Sequence, residues 1–175
     1  IFVVIGAALR FWRLTFQSLW LDELFSVVVS RLEMSIVDIV KFYVTDTHPV
    51  IYPLLLHFWM IVFGETEFVA RAFSAVIGVF GILTMYLVGR KLGGLGWGLV
   101  AAALVAFNPF HITYSQEARS YTLVFVLAAL YDGLLGLVFL IWPPAMVDLD
   151  ADAEPLFTRT TMLAPSSMRR GAPTA

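Results

Sequence analysis

The chain has 175 residues, of which 60% are hydrophobic and only 14% charged, and its mean hydropathy is +0.86. That composition lies outside the ordinary soluble range and describes an integral membrane protein. The formal net charge of -2 and the lack of a basic tract exclude a nucleic-acid binder, and the absence of cysteine excludes disulfides and thiolate metal sites.

In chain order, Ile1 to Leu9 is an apolar run that stops at Arg10, about half of the roughly 20 residues a spanning helix needs. There is no basic leader and no small-residue cleavage site before Arg10, so the run does not read as a signal peptide. The expectation is a fragment that begins inside its first membrane helix and is inactive by itself. Arg10 to Glu67 is mixed, with Arg10, Arg13, Arg31 and Lys41 among Asp22, Glu23, Glu33, Asp38, Asp46, Glu65 and Glu67. Within it, Ile36, Ile39, Val40 and Tyr43 recur at helical spacing and predict a short amphipathic helix over Ser35 to Val44. The polar break Thr45 to Pro49 follows, and Pro53 suits the first turn of a helix to Phe63. At about 1.5 Å per residue that helix covers roughly 16 Å, around half the hydrocarbon thickness. It is therefore read as interfacial or half-inserted, ending at Gly64.

Phe68 to Val88 is long enough to span, with Arg71 at one end where its stem can snorkel, and with Ser74, Gly78 and Gly81 as a small-residue face. Gly89 to Gly98 reads as a tight loop carrying Arg90 and Lys91; it holds no GxxxxGK phosphate cradle. Leu99 to Ile112 continues the membrane path, with Trp97 at one interface and Asn108-Pro109 ending the helix at the other. Tyr114 to Ser120 is polar, and Tyr121 to Trp142 is a further span in which Asp132 needs a partner. Pro143 to Ala175 has no apolar periodicity and reads as a disordered or non-native tail. The fold expected is all-α, a polytopic transmembrane bundle over residues 1–142. Its spans lie near 1–9 (truncated), 68–88, 97–113 and 121–142, and amphipathic juxtamembrane helices lie in the first outward loop.

Sidedness decides whether the polar residues can meet. If the Pro53 to Phe63 helix does not cross, segments 10–67 and 114–120 share one face and the Arg90-Lys91 loop lies on the other. The positive-inside rule then puts both polar segments outward. If that helix does cross, Glu117 and Arg119 end up opposite Asp22 and no shared site exists. The adjacent acids Asp22 and Glu23 follow an aromatic stretch (Phe11, Trp12, Phe16, Trp20). Acids are expensive at a membrane boundary. Their plainest reading is a helix start, with Ser18 or Asp22 as N-cap and Glu23 favoured by the helix dipole.

Four segments in order, Ser18-Leu19-Trp20-Leu21-Asp22-Glu23, Thr47-His48-Pro49 with Tyr52, Arg71-Ala72-Phe73-Ser74-Ala75, and Tyr114-Ser115-Gln116-Glu117-Ala118-Arg119-Ser120-Tyr121, carry a resemblance. From about Arg10 to Leu130 the chain resembles the N-terminal part of the polyprenyl-phosphate-dependent glycosyltransferases of the GT-C superfamily. That group includes protein O-mannosyltransferases and the aminoarabinose transferases that modify lipid A. The resemblance implies a multi-pass membrane enzyme, in the cell membrane of a prokaryote or the endoplasmic reticulum of a eukaryote. It implies a catalytic carboxylate in the first outward loop, a second outward loop that completes the site, and an important arginine at the outer end of the second span. It further implies a polyprenyl-phosphate sugar donor and a protein, lipid or glycan acceptor. The chain departs from the family in being several times shorter, and in having His48-Pro49 where relatives have Lys-Pro.

In such a reaction the phosphate leaves readily, whereas the attacking hydroxyl or amine needs a base. Asp22 is assigned that role, with Glu23 helping to orient the acceptor or to share a metal. Cations stabilise the leaving phosphate, and Arg does so through paired hydrogen bonds. Arg119 and Arg71 are the candidates, with His48 weaker, and Glu117 completes the donor-binding set. Plainer roles stand beside these: interfacial anchoring for Arg71, an intraloop pair with Glu117 for Arg119, capping of the Pro49 turn for His48, and simple packing for His57. A divalent metal on Asp22, Glu23 and Glu117 stays open, since three acids without geometry do not identify one. The competing classes are a transporter or channel segment, which calls for ionisable residues in mid-span, and a non-catalytic membrane scaffold.

Overall fold

A computed structural model of the chain describes residues 1–44 and 49–141. The expectations for His48 and for the 143–175 tail fall outside the described residues. Ile1–Gly136 forms one compact unit, and the described residues beyond it, 137–141, are the end of the last helix.

The described residues contain seven helices and no strand: α1 (Phe2–Phe11), α2 (Leu21–Val29), α3 (Ile36–Val44), α4 (Ile51–Phe63), α5 (Glu67–Phe107), α6 (Pro109–Ser115) and α7 (Tyr121–Ile141). The all-α class and the short helix over the Ile36 to Tyr43 periodicity are as expected. Among the described residues one helix, α5, is long and apolar enough to cross a membrane; α1, α4 and α7 are shorter apolar helices.

The tight turn expected within Gly89 to Gly98 is present, but it is shorter than that stretch. Helical backbone reaches the turn from both sides, and the chain reverses at one non-helical residue, Gly94 (φ 81°, ψ -170°). Only glycine takes that conformation freely. The limbs on either side fold back on each other, because a Cβ on Gly98 would lie 2.8 Å from the Tyr86 carbonyl oxygen. Farther along the hairpin, Ile82 of the first limb packs on Ala102, Val105 and Ala106 of the second. Gly94 therefore makes the turn, while Gly89 and Gly98 allow the two backbones to touch. The second limb ends at Phe107; Asn108 is extended and its side chain accepts from the His111 amide, so Pro109 starts α6 as a separate helix. Residues expected in a polar stretch from Tyr114 are thus partly helical, and the loop narrows to 116–120.

Helix α1 lies against α5, with Phe2 on the Ile82 cluster and Phe11 beside Leu14, Ala72 and Ala75. Helix α4 packs on the start of α5, where Tyr52, Leu56, Met60, Ala70 and Phe73 bury together with Ala118 and Leu123. Helices α2 and α3 close over α4 through Val29, Ile39 and Tyr43. His57 is buried, and its Nδ1 donates to the carbonyl oxygens of Ser30 and Arg31 at 3.1 Å each, which ties α4 to the end of α2. It is the packed histidine its apolar neighbours suggest.

Candidate functional site

The site is built on the first turn of α2. Trp20, in extended conformation, is the N-cap, and its amide donates to Glu23 Oε2 at 3.1 Å. Trp20 thus takes the place expected of Ser18 or Asp22. One residue turns a helix by about 100°, so neighbouring side chains on it face different surroundings. Here the separation is nearly complete: the Glu23 side chain is 1% exposed and that of Asp22 69%.

Glu23 points inward at Arg71, which α5 presents one turn from its N-terminus. Arg71 Nε donates to Glu23 Oε1 at 2.9 Å and Nη2 to Oε2 at 2.7 Å, a two-pronged ion pair. Ala118 N, 95 residues away in sequence, donates to the same Oε1 at 2.8 Å. Burial works against the charge on Glu23, but Arg71 and the amides of Ala118 and Trp20 outweigh it and hold the carboxyl below the ordinary carboxylate range. The remaining Arg71 donors go to Leu14 O, Gln17 O and Glu67 Oε1 from Nη1, and to Ser18 O from Nη2. Every guanidinium nitrogen is engaged. In this arrangement Arg71 has no N–H for an incoming phosphate, and its buried position is not that of a snorkelling anchor.

Asp22 points outward. Arg119 Nη1 donates to its Oδ2 at 2.7 Å, and the pair is open to solvent on the Asp22 side. Arg119 therefore pairs across the two segments rather than with Glu117. Both residues line a cavity of about 330 Å³ with Phe25, Tyr43, Pro49 and Tyr52. Its wall is fixed from behind: Tyr52 Oη lies 2.7 Å from Ser74 Oγ, which donates to the Arg119 carbonyl at 3.2 Å.

A second cavity, about 590 Å³, is lined by Trp12, Arg13, Trp20, Arg71 and Glu117 among others. Asp22 and Arg119 thus border one space and Arg71 and Glu117 another. Burial, first, and the nearby Glu23 charge raise the Glu117 carboxyl above its ordinary range, against the pull of Arg119 and Arg71. No group of three His, Asp or Glu among the described residues is arranged to hold a metal ion. Glu23 has no room for one, since both its oxygens accept from Arg71.

Three supporting residues carry no signal as site residues in the sequence. Ser74 and Tyr52 lie inside motif segments but look like packing residues until their hydroxyls are seen under Arg119. Gln116 Nε2 donates to Leu9, Arg10 and Trp12 carbonyls at 3.0–3.3 Å, fastening the second segment to the end of α1. A polar residue at the end of α6 gives no hint of that reach.

No curated protein and no solved structure matches the chain. A family profile does, over residues 47–141, just over half of the chain and including Arg71, Glu117 and Arg119 but not Asp22 or Glu23. Its description is dolichyl-phosphate-mannose-protein mannosyltransferase, and the chain belongs to that family of membrane-embedded glycosyltransferases.

Proposed function

We propose that this protein transfers a sugar from a polyprenyl-phosphate donor to an acceptor hydroxyl or amine at the outer face of a membrane. The reading places residues 1–142 in a multi-pass helical bundle with segments 10–67 and 114–120 facing outward. The membrane is the cell membrane of a prokaryote or the endoplasmic reticulum of a eukaryote. The acceptor is a protein, lipid or glycan.

The observation that carries this reading is the difference between the two ion pairs. The buried Glu23–Arg71 pair is costly to break, since stranding one buried charge costs about 3–5 kcal/mol. The exposed Asp22–Arg119 pair is worth about 0–1 kcal/mol and exchanges partners readily. Glu23 and Arg71 accordingly act as scaffold, and Asp22 and Arg119 as the reacting pair. A phosphate entering the 330 Å³ cavity competes with Asp22 for Arg119. Once Arg119 turns to the phosphate, the Asp22 carboxylate is released to face the acceptor. The acceptor oxygen or nitrogen then attacks the anomeric carbon, the bond from that carbon to the phosphate oxygen breaks with its electron pair going to the phosphate, and Asp22 takes the acceptor's proton. Arg119 stabilises the charge gained by the leaving group.

Glu23 thereby serves Asp22 by fixing the turn that presents it. Glu117, whose carboxyl burial and the Glu23 charge raise, lies by the second cavity, where it can accept a hydrogen bond from a substrate hydroxyl.

The test is donor turnover by the protein in lipid nanodiscs, with mannosyl polyprenyl phosphate as first donor because the family's description names that sugar. Acceptor-dependent release of polyprenyl phosphate is expected. If hydroxyl and amine acceptors alike elicit no release, the proposal fails.

A further inference from the structure

Arg10 is fully buried, yet among the described residues no carboxylate pairs with it. An uncompensated buried charge is expensive, so something must hold it. Its partners are almost all main-chain oxygens: Nη2 donates to Val105 O at 3.0 Å, Nη1 to Gly6 O at 2.9 Å and to Ala106 O at 3.4 Å. Nη2 also lies 2.9 Å from His111 Nδ1. Arginine only donates, so Nδ1 accepts and the histidine carries its proton on Nε2.

The carbonyls it chooses have a common origin. In a continuous helix Val105 O would accept from the amide of residue 109, but that residue is Pro109, which has none. Val105 and Ala106 form the last turn of α5, where orphan carbonyls gather and the helix dipole favours a cation. Arg10 sits at that end. Its other side is open because position 78 is glycine: a Cβ there would meet the side chain of Ser115 and come within 3.1 Å of Arg10 Nε. One guanidinium from α1 therefore bonds the end of α5 and the first turn of α6.

Helix α6 leads directly into Gln116, Glu117, Ala118 and Arg119. Gln116 makes a second fastening of the same kind, to the carbonyls of Leu9, Arg10 and Trp12. Both tie the segment to one end of α1, so that Ala118 N reaches Glu23 and Arg119 reaches Asp22.

We propose that Arg10 is a positioning residue of the site: it replaces the backbone donor that Pro109 removes and so sets the segment carrying Arg119 against Asp22. This rests on the assignment of Asp22 and Arg119 as the reacting pair, but its test does not depend on turnover. The chain has no cysteine, so Leu21→Cys and Ser120→Cys, which flank the pair and line the same cavity, can be cross-linked by a short bifunctional thiol reagent. The rate is compared with Arg10 intact, in Arg10→Met and in Arg10→Lys, each folded as judged by helicity and monodispersity. Gln116→Leu is a fourth background that leaves the buried cation alone. Arg10→Met and Gln116→Leu are expected to slow cross-linking, with Arg10→Lys between Arg10→Met and the parent. Should Arg10→Met not fold, slowing in Gln116→Leu and Arg10→Lys supports the proposal, and unchanged rates in those two overturn it.

Where turnover is measurable, misplacement on the order of 1 Å costs about 10²-fold in rate. A role exerted through Arg119 predicts that Arg10→Lys adds no further loss in an Arg119→Ala background. Additive losses would overturn the proposal while leaving the transfer reaction intact.

Discussion

Arg71 grips Glu23 through two hydrogen bonds of 2.7 and 2.9 Å while the neighbouring Asp22 stands outside, paired with Arg119. Two adjacent acids thus divide into a buried strut and an exposed carboxylate, the one proposed to react, and the division has measurable consequences.

Glu23→Gln leaves buried Arg71 with Glu67, at 2.8 Å, as its remaining carboxylate, and is expected to lower stability by up to about 3–5 kcal/mol. Asp22→Asn breaks an exposed pair and is expected to cost about 1 kcal/mol at most. Thermal denaturation of both variants in the same detergent checks this. Equal losses would contradict the separation of scaffold from reacting pair.

The pH dependence of stability follows from the sign of the Glu23 shift. Its carboxyl titrates below the ordinary range in the folded protein, so its stabilisation is complete above that range and is lost as pH falls through the lowered value. The stability gap between the parent and Glu23→Gln should therefore be full near pH 7 and close on acidification. Melting curves across the acid range measure it; a gap that widened toward low pH would reverse the assignment.

Arg119→Ala removes the cation proposed to meet the leaving phosphate. Loss of one such donor costs about 10²–10³-fold in rate. Arg119→Lys keeps the charge but loses the planar fork, so it should fall between the parent and the alanine variant. Steady-state rates over a range of donor concentrations decide this, and an unimpaired Arg119→Ala would remove Arg119 from the site.

Sidedness is accessible because the chain lacks cysteine. Ser18, Leu95 and Thr113 are all exposed in the fold. Single cysteines at Ser18 and Thr113 should react with a membrane-impermeant thiol reagent from outside intact cells, and one at Leu95 only after permeabilisation. A Ser18→Cys and a Thr113→Cys labelled from opposite sides would contradict a shared outward face.

Much of the helical pattern could be read from apolar spacing, as in Ile36, Ile39, Val40 and Tyr43, and the acid pair stood out because acids are costly in so apolar a chain. The 100° step between Asp22 and Glu23 said that their roles differ, but not which of them faces inward. That was settled by Arg71 and the Ala118 amide, the latter 95 residues from Glu23 in sequence. The Gly89 to Gly98 stretch showed the turn but not how short it is, for a related reason. Glycine marks either a loop or a close approach of two backbones, and local sequence does not distinguish them. Arg10 looked like the end of an apolar run. Its burial depends on Pro109, Gly78 and His111, far away in sequence, and no local pattern connects them.

The most direct measurement of the central claim is the rate of sugar transfer by Asp22→Asn beside the parent, in the same nanodiscs and at saturating donor and acceptor. Asn keeps the shape of the side chain and its contact with solvent but cannot take the acceptor's proton. The account predicts that transfer falls by at least about 10²-fold, the usual contribution of a positioned base, while the melting temperature stays close to that of the parent. Transfer at a near-normal rate by a well-folded Asp22→Asn protein would contradict it.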